Sequence, residues 1–130
     1  MAAETVVFLG DVSDECLALG DIARSFGWSL EMVGDLTQLR SLSWNRDVVA
    51  VLFDPGTVAA SAGHALQLVR NAAPDALQIV CQRFSDSIPW PDLAAEGAFH
   101  ALRKPLSPSE FRLSLGFAFD ATQAAKNQLI

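Results

Sequence analysis

Apolar residues form two different patterns along the chain. Short runs without polar interruption, such as VVFL and VVAVLF, are typical of strands buried on both faces of a parallel sheet. These runs predict five strands, of which the second is the weakest: residues 5–9, 29–33, 48–53, 77–81 and 98–102.

The segments between the strands carry apolar residues at helical spacing. Residues 14–26 and 59–73 each place an apolar stripe on one side of a helix. A further helix begins at Ser107-Pro108-Ser109-Glu110, which combines an N-cap, a proline at the first helical position and a capping-box glutamate. Two other segments favour only short helices: residues 36–43 and residues 88–96, the latter delayed by Pro89 and Pro91.

This alternation predicts an α/β fold of the (βα)₅ type, a doubly wound parallel five-stranded sheet. Such units give right-handed crossovers and helices on both faces. The length of 130 residues suits one domain, which we assign to residues 1–122. Residues 123–130 continue the last helical pattern and are expected to be a C-terminal helix extension or the start of a linker.

Composition and charge exclude several other classes. A chain with 51% hydrophobic and 18% charged residues is neither a disordered tail nor a coiled coil. The net charge of −6 disfavours direct binding to nucleic acid or to a membrane surface. The longest wholly apolar run, residues 48–53, is far too short to span a membrane. Cys16 and Cys81 lack metal-binding spacing and read as reduced thiols, which predicts a cytoplasmic location.

Polar residues follow three of the predicted strands. Asp11 comes after the first strand, Asp54 after the third and Lys104 after the fifth. In a doubly wound sheet these positions meet at one edge. Paired carboxylates attract Mg²⁺, and a lysine beside them can hold a phosphoryl group. The central acid, Asp54, could then act as a nucleophile and form an acyl phosphate.

At these residues the sequence resembles the CheY-like receiver domains of two-component response regulators, which have a flavodoxin-like fold. The resemblance covers about residues 5–120 and is most specific in GAFHALRKP at residues 97–105, which matches the G-A-x-D-Y-L-x-K-P run of the family at most positions. Asp54 precedes Lys104 by 50 residues, and Pro74-Asp75 precedes the fourth strand, as in receivers of this type.

The resemblance implies a role for each matched residue. Asp54 corresponds to the phosphoacceptor, and a histidine kinase or a phosphotransfer protein would donate the phosphoryl group to it. Lys104 corresponds to the lysine that binds the phosphoryl group. Mg²⁺, held weakly if it binds, would contact Asp11, Asp54 and the backbone carbonyl of Gly56. The implied chemistry is at most Mg²⁺-dependent self-phosphorylation and autodephosphorylation, so we do not expect an enzyme in the usual sense.

Four residues depart from the receiver pattern. Gly10 stands where the first acid of the metal-binding pair is expected, and Arg83 replaces a small residue. Gln82 occupies the position of the switch Thr or Ser, where its amide could still donate a hydrogen bond to phosphate. Ala101 replaces the aromatic residue whose side chain responds to phosphorylation. The predicted phosphoacceptor and lysine are therefore present, whereas the residues that would transmit phosphorylation to the rest of the domain are altered.

Two functions from different classes remain. The first is a phosphorylation-controlled receiver that shifts a dimer or partner equilibrium. The alternative is a pseudo-receiver, a phosphorylation-independent dimerisation or protein-interaction module, for which Trp90 between two prolines is a candidate anchor. Both acids also have a purely structural alternative, in which Asp54 and Asp11 only cap local turns. A flavodoxin-like cofactor binder ranks last, because no phosphate-binding loop follows the first strand.

Overall fold

The computed structural model describes residues 4–10, 16–82, 88–103 and 106–128. The five strands are β1 (Glu4–Leu9), β2 (Ser29–Val33), β3 (Asp47–Phe53), β4 (Leu77–Gln82) and β5 (His100–Arg103). The helices in the described part are α1 (Cys16–Ser25), α2 (Leu36–Asn45), α3 (Pro55–Val58), α4 (Ala62–Ala72), α5 (Trp90–Ala95) and α6 (Pro108–Gln128).

All strand pairs are parallel, and the strand order is β2-β1-β3-β4-β5. This arrangement confirms the predicted α/β fold. The order reverses between β1 and β3, so the crevice at the carboxyl ends of these two strands is where a doubly wound sheet normally binds its ligands. We call the edge formed by the carboxyl ends of the strands the carboxyl edge.

The sheet is buried on both faces, as its continuous apolar runs require. Side chains of β3 alternate between two cores, with Val51 and Phe53 on one side and Leu52 on the other. The first core is closed by α2, α4 and α5, and the second by α1 and α6. The second core contains Trp28, which is 3% exposed.

The segment after β3 differs from the single helix expected over residues 59–73. A separate short helix, α3, follows Asp54 directly because Pro55 suits the first helical position. Ala59 then returns to extended backbone, and the side chain of Ser61 caps α4 by accepting from the backbone N–H of His64 at 3.2 Å. The helix therefore begins at residue 62 rather than 59.

The last strand begins two residues later than the expected residue 98. The backbone N–H groups of Gly97 and Ala98 still donate to carbonyls of α5, and Gly97 has a φ of 99°. Only glycine adopts that backbone conformation readily, so the turn that ends α5 extends to residue 98.

Helix α6 is continuous over 21 residues, through the boundary expected at residue 122. Its last turns are tied to the start of β1, where the Lys126 ammonium donates to Glu4 Oε1 at 2.7 Å. The other carboxylate oxygen of Glu4 accepts from Trp28 Nε1 at 3.0 Å. None of the helices in the described ranges is long and apolar enough to cross a membrane.

We expect the Glu4–Lys126 contact to make stability depend on pH. The hydrogen bond from Lys126 lowers the pKa of Glu4 below its ordinary value. The stabilisation is therefore present above the ordinary carboxyl pKa and is lost as pH falls through the lowered pKa. Because Lys126 is about half exposed, Glu4→Gln should cost less than about 1 kcal/mol at neutral pH.

Urea unfolding of wild type, Glu4→Gln, Lys126→Met and the double variant would measure this coupling. The coupling free energy should fall towards zero at a pH well below the ordinary carboxyl pKa. A coupling that is the same at neutral and acidic pH would contradict the assignment.

Candidate functional site at the carboxyl edge

The predicted phosphoacceptor Asp54 lies directly after β3, half-buried at the carboxyl edge. Its Oδ1 accepts from the backbone N–H of Gly56 at 3.0 Å, and its backbone carbonyl accepts from Thr57 Oγ1 at 2.8 Å. Asp54 is thus the N-cap of α3, which is the local role that the sequence left open for it. The cap also orients the carboxylate at the end of the strand.

Strand register shows which of the predicted site residues lie near this edge. Phe53, the residue before Asp54, pairs with Leu9 of β1 and with Val80 of β4. Gly10 therefore follows the strand on one side of Asp54, and Gln82 ends the strand on the other side. Ala101 pairs with Val80 and is half-buried against the core between the sheet and α5. Asp11, Arg83 and Lys104 lie outside the described residues.

Gly10 has a backbone conformation that accounts for its presence. Its φ is 128°, in the region that side-chain-bearing residues rarely adopt, and its N–H donates to the carbonyl of Val33 at 2.9 Å. An acid at this position would be strained in the observed backbone. The absence of the first acid of the receiver pattern thus goes together with the backbone conformation at the end of β1.

Gln82 forms a closed pair of hydrogen bonds with the backbone of Ile88. Its Oε1 accepts from the Ile88 N–H at 3.2 Å, and its Nε2 donates to the Ile88 carbonyl at 3.3 Å. The side chain is 7% exposed. We call this arrangement the Gln82–Ile88 clamp. It joins the end of β4 to a residue two positions before the start of α5, and it uses both the oxygen and the nitrogen of the amide that was expected to reach a phosphoryl group.

Sequence analysis missed the clamp, because a glutamine shows its hydrogen-bonding capacity but not its partner. It also missed a cleft of about 510 Å³ beside α3, lined by Leu9, residues 34–37, Thr57 and Val58. The sequence D-L-T-Q at residues 35–38 could have indicated the helix start that lines this cleft. Asp35 Oδ1 accepts from the N–H of Gln38, and Gln38 Oε1 accepts from the N–H of Gly34, which is a reciprocal cap at the start of α2.

The described part of the chain has no group of three or more His, Cys, Asp or Glu side chains arranged to hold a metal ion. At the carboxyl edge it supplies the Asp54 carboxylate and the Gly56 backbone. Mg²⁺ in proteins is usually held by one or two carboxylates and keeps several waters. The described residues therefore supply one carboxylate, and Asp11 would supply the second carboxylate expected for Mg²⁺.

An aromatic cluster lies at the β5 side of the sheet. The imidazole of His100 stands edge-on to Trp90 of α5 and to Phe117 of α6, with ring centroids 6.5 and 5.7 Å away. Its Nδ1 is 2.9 Å from the hydroxyl of Ser114. Burial lowers the pKa of His100, and the nearby charge of Glu110 partly opposes that shift. His100 is thus a packing residue that links α5 to α6.

Comparison with protein-family models and with curated proteins gives no match. Solved structures do match. A response regulator receiver domain protein from Clostridium thermocellum has a TM-score of 0.73 and 19% identity, over 96% of this chain and 99% of that one. A response regulator from Thermotoga maritima has a TM-score of 0.72 and 12% identity, over 91% of this chain and 98% of that one.

A third similar structure is described as a pilus assembly protein from Burkholderia thailandensis. It has a TM-score of 0.62 and 16% identity, over 89% of this chain and 97% of that one. Together the three structures confirm the expected fold: this chain has the CheY-like, flavodoxin-like fold of response regulator receiver domains.

We expect Gln82→Met, which keeps the length of the side chain, to open the Gln82–Ile88 clamp. Loss of both hydrogen bonds should lower the free energy of unfolding by about 1–3 kcal/mol and increase hydrogen exchange at the Ile88 amide. Amide exchange followed by NMR measures both effects.

Gln78→Met is the matched control. Gln78 is also a buried glutamine of β4, but its Nε2 donates to the Leu66 carbonyl at 3.0 Å. In this variant, hydrogen exchange at the Ile88 amide should change only as much as the change in the free energy of unfolding requires. Equal exchange at Ile88 in the two variants would contradict the clamp.

Proposed function

We propose that this chain is a signalling domain of the receiver fold that works as a phosphorylation-independent protein-interaction module. The observation that carries the proposal is the Gln82–Ile88 clamp. In the receiver pattern, the residue at position 82 connects the phosphoryl group to the loop after β4. Here the side chain at that position is already bound to the backbone of Ile88 by two hydrogen bonds.

Energetics favour a Gln82 side chain that keeps its two hydrogen bonds to Ile88. A phosphoryl group changes a conformational equilibrium only by the difference between its contacts in the two states. Moving the Gln82 side chain away from Ile88 towards a phosphoryl group would break both bonds of the clamp, which together contribute about 1–3 kcal/mol. Ala101 has no aromatic ring that could move in response. These two positions support an interaction surface that is permanently formed.

The second candidate is a phosphorylation-controlled receiver, and the position of Asp54 favours it. Asp54 stands at the end of the central strand, at the carboxyl edge, where the resemblance places the phosphoacceptor. A carboxylate oxygen of Asp54 would attack the phosphorus of a donor and form an acyl phosphate, while the donor leaves with the electron pair of the broken bond. Lys104 and Gln82 would bind the phosphoryl oxygens.

In this second candidate, Asp11, Asp54 and the Gly56 carbonyl would hold Mg²⁺, which supplies neutralisation of the negative charge at the transferring group. A histidine kinase or phosphotransfer protein would be the donor. Autodephosphorylation would be the only turnover.

Both candidates belong in the cytoplasm under this proposal, which the small number of cysteines, two in the whole sequence, supports. The acidic chain makes another protein, or a second copy, a more suitable partner than nucleic acid. A related fold in a protein described as a pilus assembly protein is consistent with use of this architecture in protein assembly.

Incubation with acetyl phosphate and Mg²⁺, followed by intact mass measurement, tests the two candidates. We expect no phosphoryl adduct, because the site lacks the first acid at residue 10 and its Gln82 amide is engaged. A typical receiver domain treated in parallel should gain the adduct and is the positive control for the reagents.

An adduct that forms on the wild type and disappears in Asp54→Asn would establish the second candidate. If the adduct also increased hydrogen exchange at Ile88, phosphorylation would control the Gln82–Ile88 clamp and the interaction proposal would be wrong.

A further inference from the structure

Helix α5 is bound to α4 at its carboxyl end, the end away from the Gln82–Ile88 clamp. The guanidinium of Arg70, in the last turn of α4, donates from Nη2 to the backbone carbonyl of Glu96 at 2.9 Å. Glu96 is the C-cap of α5, and the last carbonyls of a helix have no partner within the helix. Arg70 therefore supplies from α4 a donor that α5 itself does not have.

The side chain of Glu96 reaches the first turn of α4. A Cβ at residue 63, which is a glycine, would lie 2.9 Å from Glu96 Oε2, closer than Cβ atoms approach other atoms in proteins. The carboxylate therefore occupies space that any other residue at position 63 would need for its side chain. It also lies beside the positive end of the α4 dipole, where a negative charge is stabilising.

Gly97 provides a second space of this kind. A Cβ at residue 97 would overlap the guanidinium of Arg70, so the arginine lies where a side chain would otherwise be. Gly63 and Arg70 are seven residues apart, about two helical turns, and so share one side of α4. The contact is reciprocal, because a glycine on each side makes room for a charged side chain from the other. We call Gly63, Arg70, Glu96 and Gly97 the α4–α5 latch.

Helix α5 depends on contacts at its two ends. It has only six residues and one buried side chain, Leu93, and helices this short are not stable by themselves. The clamp holds Ile88 before the helix, and the latch holds Glu96 after it. Trp90, the first residue of α5, lies between these two attachments, and its indole stands edge-on to His100.

From these contacts we propose that the clamp and the α4–α5 latch together hold α5 in one position, so that the helix opens only as a unit. The proposal rests on the interaction role proposed above and names the device that keeps Trp90 in place. A side chain that is already ordered loses less conformational freedom when a partner binds. The device needs no phosphoryl group, because α4 and the end of β4 supply all of its contacts.

Hydrogen exchange in Arg70→Met tests this device. The amide of Ile88 donates to Gln82 before α5, and the amide of Ala98 donates to the carbonyl of Leu93 at 3.0 Å after it. If α5 opens as a unit, loss of the Arg70 hydrogen bond should speed exchange at both amides by the same factor, about tenfold. Faster exchange at Ala98 alone, or at neither amide, would overturn the proposal.

Arg40→Met is the matched control. It removes an exposed arginine from α2, a helix that closes the same core as α4 and α5. Exchange at Ile88 and Ala98 should remain as in the wild type. An acceleration equal to that in Arg70→Met would show that loss of one positive charge is sufficient, and it would overturn the latch.

Gly63→Ala tests the latch from the side of α4. The added methyl group would displace the Glu96 carboxylate, although alanine favours a helix more than glycine does. Exchange at Ile88 and Ala98 should therefore become faster in a variant whose substitution does not weaken α4 itself.

Gly116→Ala is the control for this substitution. Gly116 lies in α6, and a Cβ there would make only ordinary contact, with Phe26 Cζ at 4.0 Å. This variant should not speed exchange at Ile88 or Ala98. Equal exchange at these amides in the two alanine variants would overturn the role of Gly63.

The outcomes separate this device from the proposed function. Independent opening of the two ends of α5 would overturn the device and leave the interaction role in place. A phosphoryl adduct on Asp54 that speeds exchange at Ile88 in the wild type would overturn the interaction role, whatever the arginine and glycine variants show.

Discussion

Burial of the parallel sheet on both faces is the constraint on which the rest of this structure depends. Every residue of β3 from Val48 to Phe53 is buried, and from Ala50 onwards successive side chains enter opposite cores. Because both faces are apolar, polar side chains that take part in chemistry are confined largely to the ends of the strands. Asp54 and Gln82 therefore come to one edge of the sheet, although they are far apart along the chain.

That constraint is also what made much of the fold predictable from the sequence. A continuous apolar run ended by an acid identifies both β3 and the position of Asp54. The resemblance in the segment 97–105 then indicates the strand order. The TM-scores of 0.73 and 0.72 with receiver structures confirm this level of the prediction.

The parts that could not be predicted depend on short-range geometry rather than periodicity. Helix α3 has four residues, too few to show a helical repeat, and its start is determined by the Asp54 cap and Pro55. The hydrogen bonds of Gln82 depend on where residue 88 lies relative to the end of β4, which no local pattern reveals.

The carboxyl edge carries the Asp54 carboxylate, and the Gln82–Ile88 clamp joins the end of β4 to the segment before α5 by two hydrogen bonds. This arrangement needs no phosphoryl group to form. A surface fixed in this way can bind its partner continuously, so its control would come from concentration rather than from phosphorylation.

The most direct test of this account is to record the amide NMR spectrum of the wild type with Mg²⁺, before and after addition of beryllofluoride, which mimics an acyl phosphate. We predict that the signals of Gln82 and Ile88 stay in place, because the clamp does not respond to the carboxyl edge. Shifts at these two amides that are absent in Asp54→Asn would contradict the central claim and show that the domain is a phosphorylation-operated receiver.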